Sequence, residues 1–154
     1  MTYTIEGISP TAFESLFGMT DDELAARNAL RVTADSPTSY PCRVSLADAM
    51  PGDELILLNH VSHDVPTPFR TAYAIYVRKG AESARYADAT PDYLDRRTLS
   101  LRGFDAAGML RDAALAMPGT SDAGIRAMFA QPHITSIHAH NAAYGCFLAQ
   151  IERS

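Results

Sequence analysis

Thr98-Leu99-Ser100-Leu101-Arg102-Gly103-Phe104-Asp105-Ala106-Ala107-Gly108-Met109 is the stretch on which the architecture of this chain turns. Leu99 and Leu101 alternate with Ser100 and Arg102, the period of a strand with one face on a core. Asp105 to Gly108 is a turn signal, so Met109 to Met117 is predicted to return beside the first arm as a hairpin. Hairpin arms are antiparallel, and the sheet they belong to is expected to be so as well. Beyond it, Thr120 is read as the cap of a helix carrying Ile125, Met128 and Phe129, ended at Gln131-Pro132. Ile134 to His140 and Gly145 to Glu152 then read as a second, terminal hairpin.

Toward the N-terminus, Glu54 to Val61 contains Leu55-Ile56-Leu57-Leu58, a continuous apolar run suited to a central strand. Ser62 to Pro68 reads as a loop, Ala72 to Arg78 as another strand closed by Gly80, and Tyr3 to Ile5 and Leu30 to Ala34 as shorter ones. Helical signals are confined. Ser9-Pro10 is a cap followed by proline at the first helical position, with Phe13, Leu16 and Phe17 on one face. Thr20-Asp21-Asp22-Glu23 is a capping box opening a short helix to about Asn28. Pro91 to Arg96 is a third. Asp35 to Pro41 is a polar loop, and Val44 to Ala49 reads as a strand end running into one helical turn that Pro51-Gly52 stops. Six or more strands with short helices at the start and margins predict one α+β domain over residues 1–154, with a mainly antiparallel sheet. A strict βαβ alternation is missing, which excludes a doubly wound fold.

The composition narrows the partners. Apolar residues make up 47% and charged residues 20%, values of a chain with a packed core. The net charge is -5, opposite to what a nucleic-acid groove requires, so no nucleic acid is expected. Met1 to Glu6 has neither a basic nor an apolar leader segment, and no run reaches bilayer length, so no membrane partner is expected. Two cysteines, Cys42 and Cys146, are too few for a disulfide scaffold, and a cytoplasmic protein with reduced thiols is predicted. Lys79 is the single lysine; every other basic residue is an arginine, the side chain suited to carboxylate and phosphate.

The chemistry concentrates in His138-Ala139-His140-Asn141-Ala142-Ala143-Tyr144-Gly145-Cys146. On a strand His138 and His140 share a face with Ser136, and the return strand carries Phe147, Ala149 and Ile151 as an apolar stripe. A five-residue connection puts Cys146 opposite His140, on the histidine face, and one residue of register turns it away. His-x-His suits a single Zn²⁺ or Fe²⁺, with Cys146, Cys42, His60 or His63 as third ligand, although the acid that cupins carry after such a pair is Tyr144 here. A nucleophilic reading joins Cys42 or Cys146 to a histidine and Asn141. A third reading takes His60-Val61-Ser62-His63 and His133-Ile134-Thr135-Ser136 for the paired elements of a two-histidine phosphoesterase. Against all three stands the plain alternative of structural histidines and core cysteines.

Arginines mark three strand margins, in Tyr40-Pro41-Cys42-Arg43, Pro68-Phe69-Arg70 and Leu99-Ser100-Leu101-Arg102. Each either pairs with a surface acid or, with the others, converges on an anion. The first and last of these motifs, with Leu46-x-Asp48-Ala49-x-Pro51-Gly52, His138-x-His140-Asn141-Ala142 and Gly145-Cys146, resemble the bacterial domain-of-unknown-function family 1203 along nearly the whole chain. The resemblance implies a domain of similar length with no assigned activity, substrate or cofactor. It also ties the Tyr-Pro-Cys-Arg loop to the terminal hairpin as recurring polar features.

The expectation from sequence is therefore a protein binding a small polar or anionic ligand, and acting on it if it is an enzyme. Its pocket is built from Cys42, Arg43, His138, His140, Asn141 and Cys146, with Arg70 and Arg102 as anion contacts. His138, His140 and Cys42 are the catalytic candidates. No cofactor is expected beyond a zinc or iron ion on His138 and His140. The competing class is a structural or interaction module that pairs sheet edges into a homodimer.

Overall fold

The computed structural model describes residues 1–154. In chain order its strands are β1 (Tyr3–Glu6), β2 (Ala29–Thr33), β3 (Pro41–Cys42), β4 (Ala47–Asp48), β5 (Glu54–His63), β6 (Thr71–Arg78), β7 (Arg85–Ala87), β8 (Leu99–Phe104), β9 (Leu110–Ala116), β10 (Ser136–Asn141) and β11 (Phe147–Arg153). The α-helices are α1 (Asp21–Ala25), α2 (Asp92–Asp95) and α3 (Ser121–Phe129), and Pro10–Ala12 and Glu14–Gly18 are 3-10 turns. The strands make two sheets, where the sequence suggested one. A six-stranded antiparallel sheet has the order β7-β1-β11-β10-β8-β9, and a five-stranded sheet the order β2-β5-β6-β3-β4. Its one parallel pairing joins β3 to β6, at Cys42 and Tyr76. The class is α+β, as predicted.

Local signals explain most boundaries. Thr20 caps α1 with both bonds of the capping box in place. The β8–β9 hairpin closes through Asp105, whose carboxylate accepts the Ala107 and Met109 N–H groups, with Gly108 at a φ of 77°. Other expectations are corrected. Thr120 makes no side-chain cap on α3; Asp95 of α2 accepts from the Ser121 N–H at 3.4 Å and from its hydroxyl instead. β5 runs through His63, into what reads as loop. Residues 43–46 form a turn between β3 and β4, closed by the Leu46 N–H on Cys42 O at 3.0 Å, rather than a strand running into a helical turn. β7 carried no alternation long enough to see, and it forms because Thr4 to Glu6 offer it an edge.

Burial divides the molecule. One face of the six-stranded sheet carries Leu99, Leu101, Ile137, Ala139, Leu148 and Ile151 against Tyr93, Leu94, Ile125, Met128 and Phe129 of α2 and α3. Full burial of each large apolar side chain is worth about 1.5–3 kcal/mol, so this layer is the main source of stability. A second core joins Ile56, Ile75, Val77, Cys42 and Val44 to Phe13 and Leu24 from the N-terminal turns. Leu16 and Phe17 pack on that core half-buried, as their spacing with Phe13 predicted.

Between the sheets lies a layer of a different kind, assembled by two bulges. In β11 the register shifts so that Phe147 stands opposite His140 while Ala149 stays opposite Ala139, leaving Leu148 as the extra residue. Phe147 therefore joins the histidine face and Leu148 the main core, which overturns the predicted stripe of Phe147, Ala149 and Ile151. In β5 a second shift pairs His63 with Thr71 and Val61 with Ala72, turning His63 to the side of His60.

Candidate functional site

The β3–β4 turn is fixed by backbone bonds on every side. The Arg43 N–H donates to Tyr76 O at 3.1 Å, the Ile8 N–H to Arg43 O at 3.0 Å, and the Ala84 N–H to Val44 O at 3.0 Å. Leu46 holds a φ of 50°, unusual for a branched side chain, and its side chain is buried in the main core. Gly7 passes so close to the turn that a Cβ there would stand 1.8 Å from Val44 O. The turn is thus a rigid mount for its first side chain.

That side chain is Arg43, the largest fully buried one in the protein, 2% exposed. Its Nε donates to Phe147 O at 2.7 Å and its Nη1 to Pro41 O at 2.5 Å. No carboxylate pairs with it, although ten ion pairs are formed elsewhere. Nη2 has no protein partner and is not among the fully occluded polar atoms, so it keeps contact with solvent.

Arg43 forms part of the wall of a cavity of about 400 Å³. The rest of the wall comes from Thr38, Ser39 and Pro41, from Leu57 of β5, from Tyr73, Ala74 and Tyr76 of β6, and from Arg97, Asn141, Tyr144 and Cys146. None of these is an acid or a histidine. Arg97 donates to Asp48 Oδ1 at 2.6 Å and to Tyr93 O at 2.5 Å, and its guanidinium stands 5.1 Å from the Tyr93 ring centre. Burial lowers the Arg97 pKa, but an arginine remains charged at neutral pH. Asp48 is shared with Arg96, which lies outside the cavity. Asn141 Oδ1 accepts the Ala143 and Tyr144 N–H groups at 3.0 Å each, shaping the loop and leaving the side-chain NH₂ as the free group. The carboxamide can therefore only donate to a ligand.

Behind the cavity, the inter-sheet layer holds four histidines among phenylalanines. His60 packs on Phe13 and Phe147, His63 on Phe104, and His138 and His140 on Phe147, with ring centres 4.0 to 6.3 Å apart. Burial, with help from His63, His140 and Arg102, pushes the His138 pKa down to about 3; burial, eased by a bond to Gly145 O, puts His140 at about 4. His60 is lowered too, by burial and then by Arg43. His60, His138 and His140 are therefore neutral near pH 7. His140 Nδ1 meets Gly145 O at 2.9 Å and His63 Nε2 meets Gly108 O at 3.0 Å, but His138 Nδ1 has no partner.

The sequence-selected residues thus separate. Arg43, Asn141 and Cys146 line one cavity, and the Tyr-Pro-Cys-Arg loop meets the terminal hairpin there, through the Arg43 bond to Phe147 O. Cys42 does not: strand alternation turns it into the second core, where its Sγ accepts the Arg78 N–H at 3.3 Å. That separates it from Asn141 and from any histidine pairing. His138 and His140 lie off the cavity wall, with rings nearly parallel (20°) and 6.4 Å apart, and no three His, Cys, Asp or Glu residues group as metal ligands. Arg102 stands beside them with Nε on Ser100 Oγ, and exposed Arg70 pairs with Asp64 at 3.0 Å, so neither reaches the cavity. His133 is exposed and does not meet His60. Sequence reasoning missed Arg97, Tyr73 and Tyr76. The adjacent arginines 96 and 97 after α2 were the one available signal for the first.

Comparison with known proteins adds one match. The family profile described as "Protein of unknown function (DUF1203)" covers residues 39–153, which include every residue lining the cavity except Thr38. Searches of curated proteins and of solved structures return no match.

Proposed function

The chain belongs to the DUF1203 family of proteins of unknown function, and from its site we propose that it binds a small organic anion in the Arg43 cavity. The observation that carries this reading is a buried guanidinium without a carboxylate. Removing such a charge from water costs several kcal/mol unless a counter-charge accompanies it. Here two backbone carbonyls take two of its five N–H groups, and solvent reaches Nη2. An entering carboxylate or phosphate supplies the missing charge. Arg97 and the Asn141 amide add donors, and no acid on the wall opposes the anion. A volume of about 400 Å³ lies in the range of small-ligand sites.

The wall also favours capture over turnover. Histidine, aspartate and glutamate are the usual proton-transfer groups, and none lines it. His140 contributes indirectly, through its bond to Gly145 O in the loop that carries Cys146. The test is a titration of ¹⁵N-labelled protein with benzoate and with inorganic phosphate. Amide shifts concentrated in residues 38–43 and 141–147, lost in Arg43→Met, support the reading; shifts elsewhere, or none, overturn it.

A second reading, self-association, is favoured by β9. It is an outer strand of the six-stranded sheet, longer than β7 at the other edge, and Leu115 on it is 69% exposed. Sedimentation of the wild type against Leu115→Lys tests it: a dimer that the lysine dissociates supports pairing through β9, and a wild-type monomer ends it.

A further inference from the structure

Charge accounting in the cavity goes beyond the presence of an anion to its kind. Arg97 is matched by Asp48, and Arg96, which shares that carboxylate, faces water outside the wall. Arg43 is left as the single unmatched charge facing the ligand. One negative charge neutralises it. A second would sit in the cavity against phenol rings, with no free cation to receive it.

The geometry of Arg43 narrows the head group. Its Nε–H is committed to Phe147 O, so the side-on fork of Nε and Nη2 is closed to a ligand. Nη1 and Nη2 keep the remaining N–H groups, and a pair of these suits the two coplanar oxygens of a carboxylate. The body of the ligand is described by a separate set of residues. Tyr73 and Tyr144 stand at the cavity, 53% and 78% exposed, with Tyr76, Leu57 and Ala74 behind them. Aromatic side chains left this open next to a charged recess are a surface for a flat apolar group.

We infer that the cavity selects aromatic monocarboxylates over phosphates and other dianions. The inference rests on the anion-binding reading above and deepens it. The test uses the wild-type chain at pH 7.5 and calorimetry or amide shifts with five probes. Benzoate carries both head and body, benzamide the body without charge, acetate the head without body, phenyl phosphate the body with a dianion, and inorganic phosphate the dianion alone. Benzoate binding at least ten-fold tighter than each of the others is the expected result. Tyr144→Ala and Tyr73→Ala, both at exposed positions, should weaken benzoate about five-fold and leave acetate unchanged. Phenyl phosphate or acetate matching benzoate overturns the inference while the anion-binding reading stands; benzamide matching it overturns both. Silence from both carboxylates and both phosphates overturns both.

Discussion

Two neighbouring regions of this protein hold the same kind of side chain under opposite conditions. The inter-sheet layer packs imidazoles among phenylalanines, and the Arg43 cavity sets a guanidinium among tyrosines; no carboxylate pairs with the imidazoles or with Arg43. His138 and His140 meet the lack of a counter-ion by staying neutral, burial holding both well below the usual imidazole range. Arg43 has no such exit, because a guanidinium does not deprotonate in a protein. It keeps its charge and keeps an opening to solvent. The lesson is that a buried base becomes packing when it can neutralise itself and must keep an opening to solvent when it cannot.

Acid breaks that difference with the largest effect. Unfolded histidine titrates near 6.5, and folded His138 and His140 near 3 and 4. Below pH 6.5 the unfolded chain takes up protons that the folded one refuses. Their contribution is therefore complete above 6.5, falls as the pH drops, and levels off only below the folded values. Two such groups cost about 2.7 kcal/mol per pH unit, or about 6 kcal/mol between pH 6.5 and 4. Urea melts across this range should show the slope, and the double variant His138→Leu/His140→Leu should flatten it between 6.5 and 5, above the carboxylate range.

Next in size is the mount of the cavity. Gly7→Ala drives a Cβ into Val44 O, which is backbone and cannot rotate aside, so a loss of about 3 kcal/mol or more is expected in a thermal melt. A smaller effect of opposite sign sharpens the comparison. His138→Leu at pH 7.5 removes a buried nitrogen that has no partner and should be neutral or stabilising by about 1 kcal/mol. The same change should leave benzoate binding intact, whereas Arg43→Met abolishes it. Smallest is Arg70→Ala: an exposed pair with Asp64, off the Arg43 cavity, should cost under about 0.5 kcal/mol and nothing in binding.

Much of the frame was legible because it rests on local patterns. Alternation in Leu99 to Arg102, the turn at Asp105 to Gly108 and the Thr20 box each specify an element without outside help. The bulges were not. Placing Phe147 beside His140 requires Leu148 to be extra, a choice made by pairing with β10 rather than by any residue in β11. The division into two sheets depends likewise on β5 joining β2 and β6 instead of β8 or β10. Arg43, Asn141 and Cys146, which line the cavity, were singled out because they flank turns of unusual composition. Arg97 was not, since its partner Asp48 is 49 residues away. Cys42 stays off the wall for a simple reason: in Pro41-Cys42-Arg43 only alternate residues reach the cavity, and the thiol is the one between.

The position of β1 has a practical consequence. The family profile begins at Ser39, yet β1 is not a margin of the fold; it lies inside the six-stranded sheet, bonded to β7 and β11. Its Tyr3 and Ile5 are completely buried in the main core, and Ile8 just after it holds the Arg43 carbonyl. A fragment cut to the profile would split the sheet and release the arginine from its mount together. The profile boundary is therefore not a folding boundary, and the first 38 residues belong to the mount of Arg43 as much as to the scaffold.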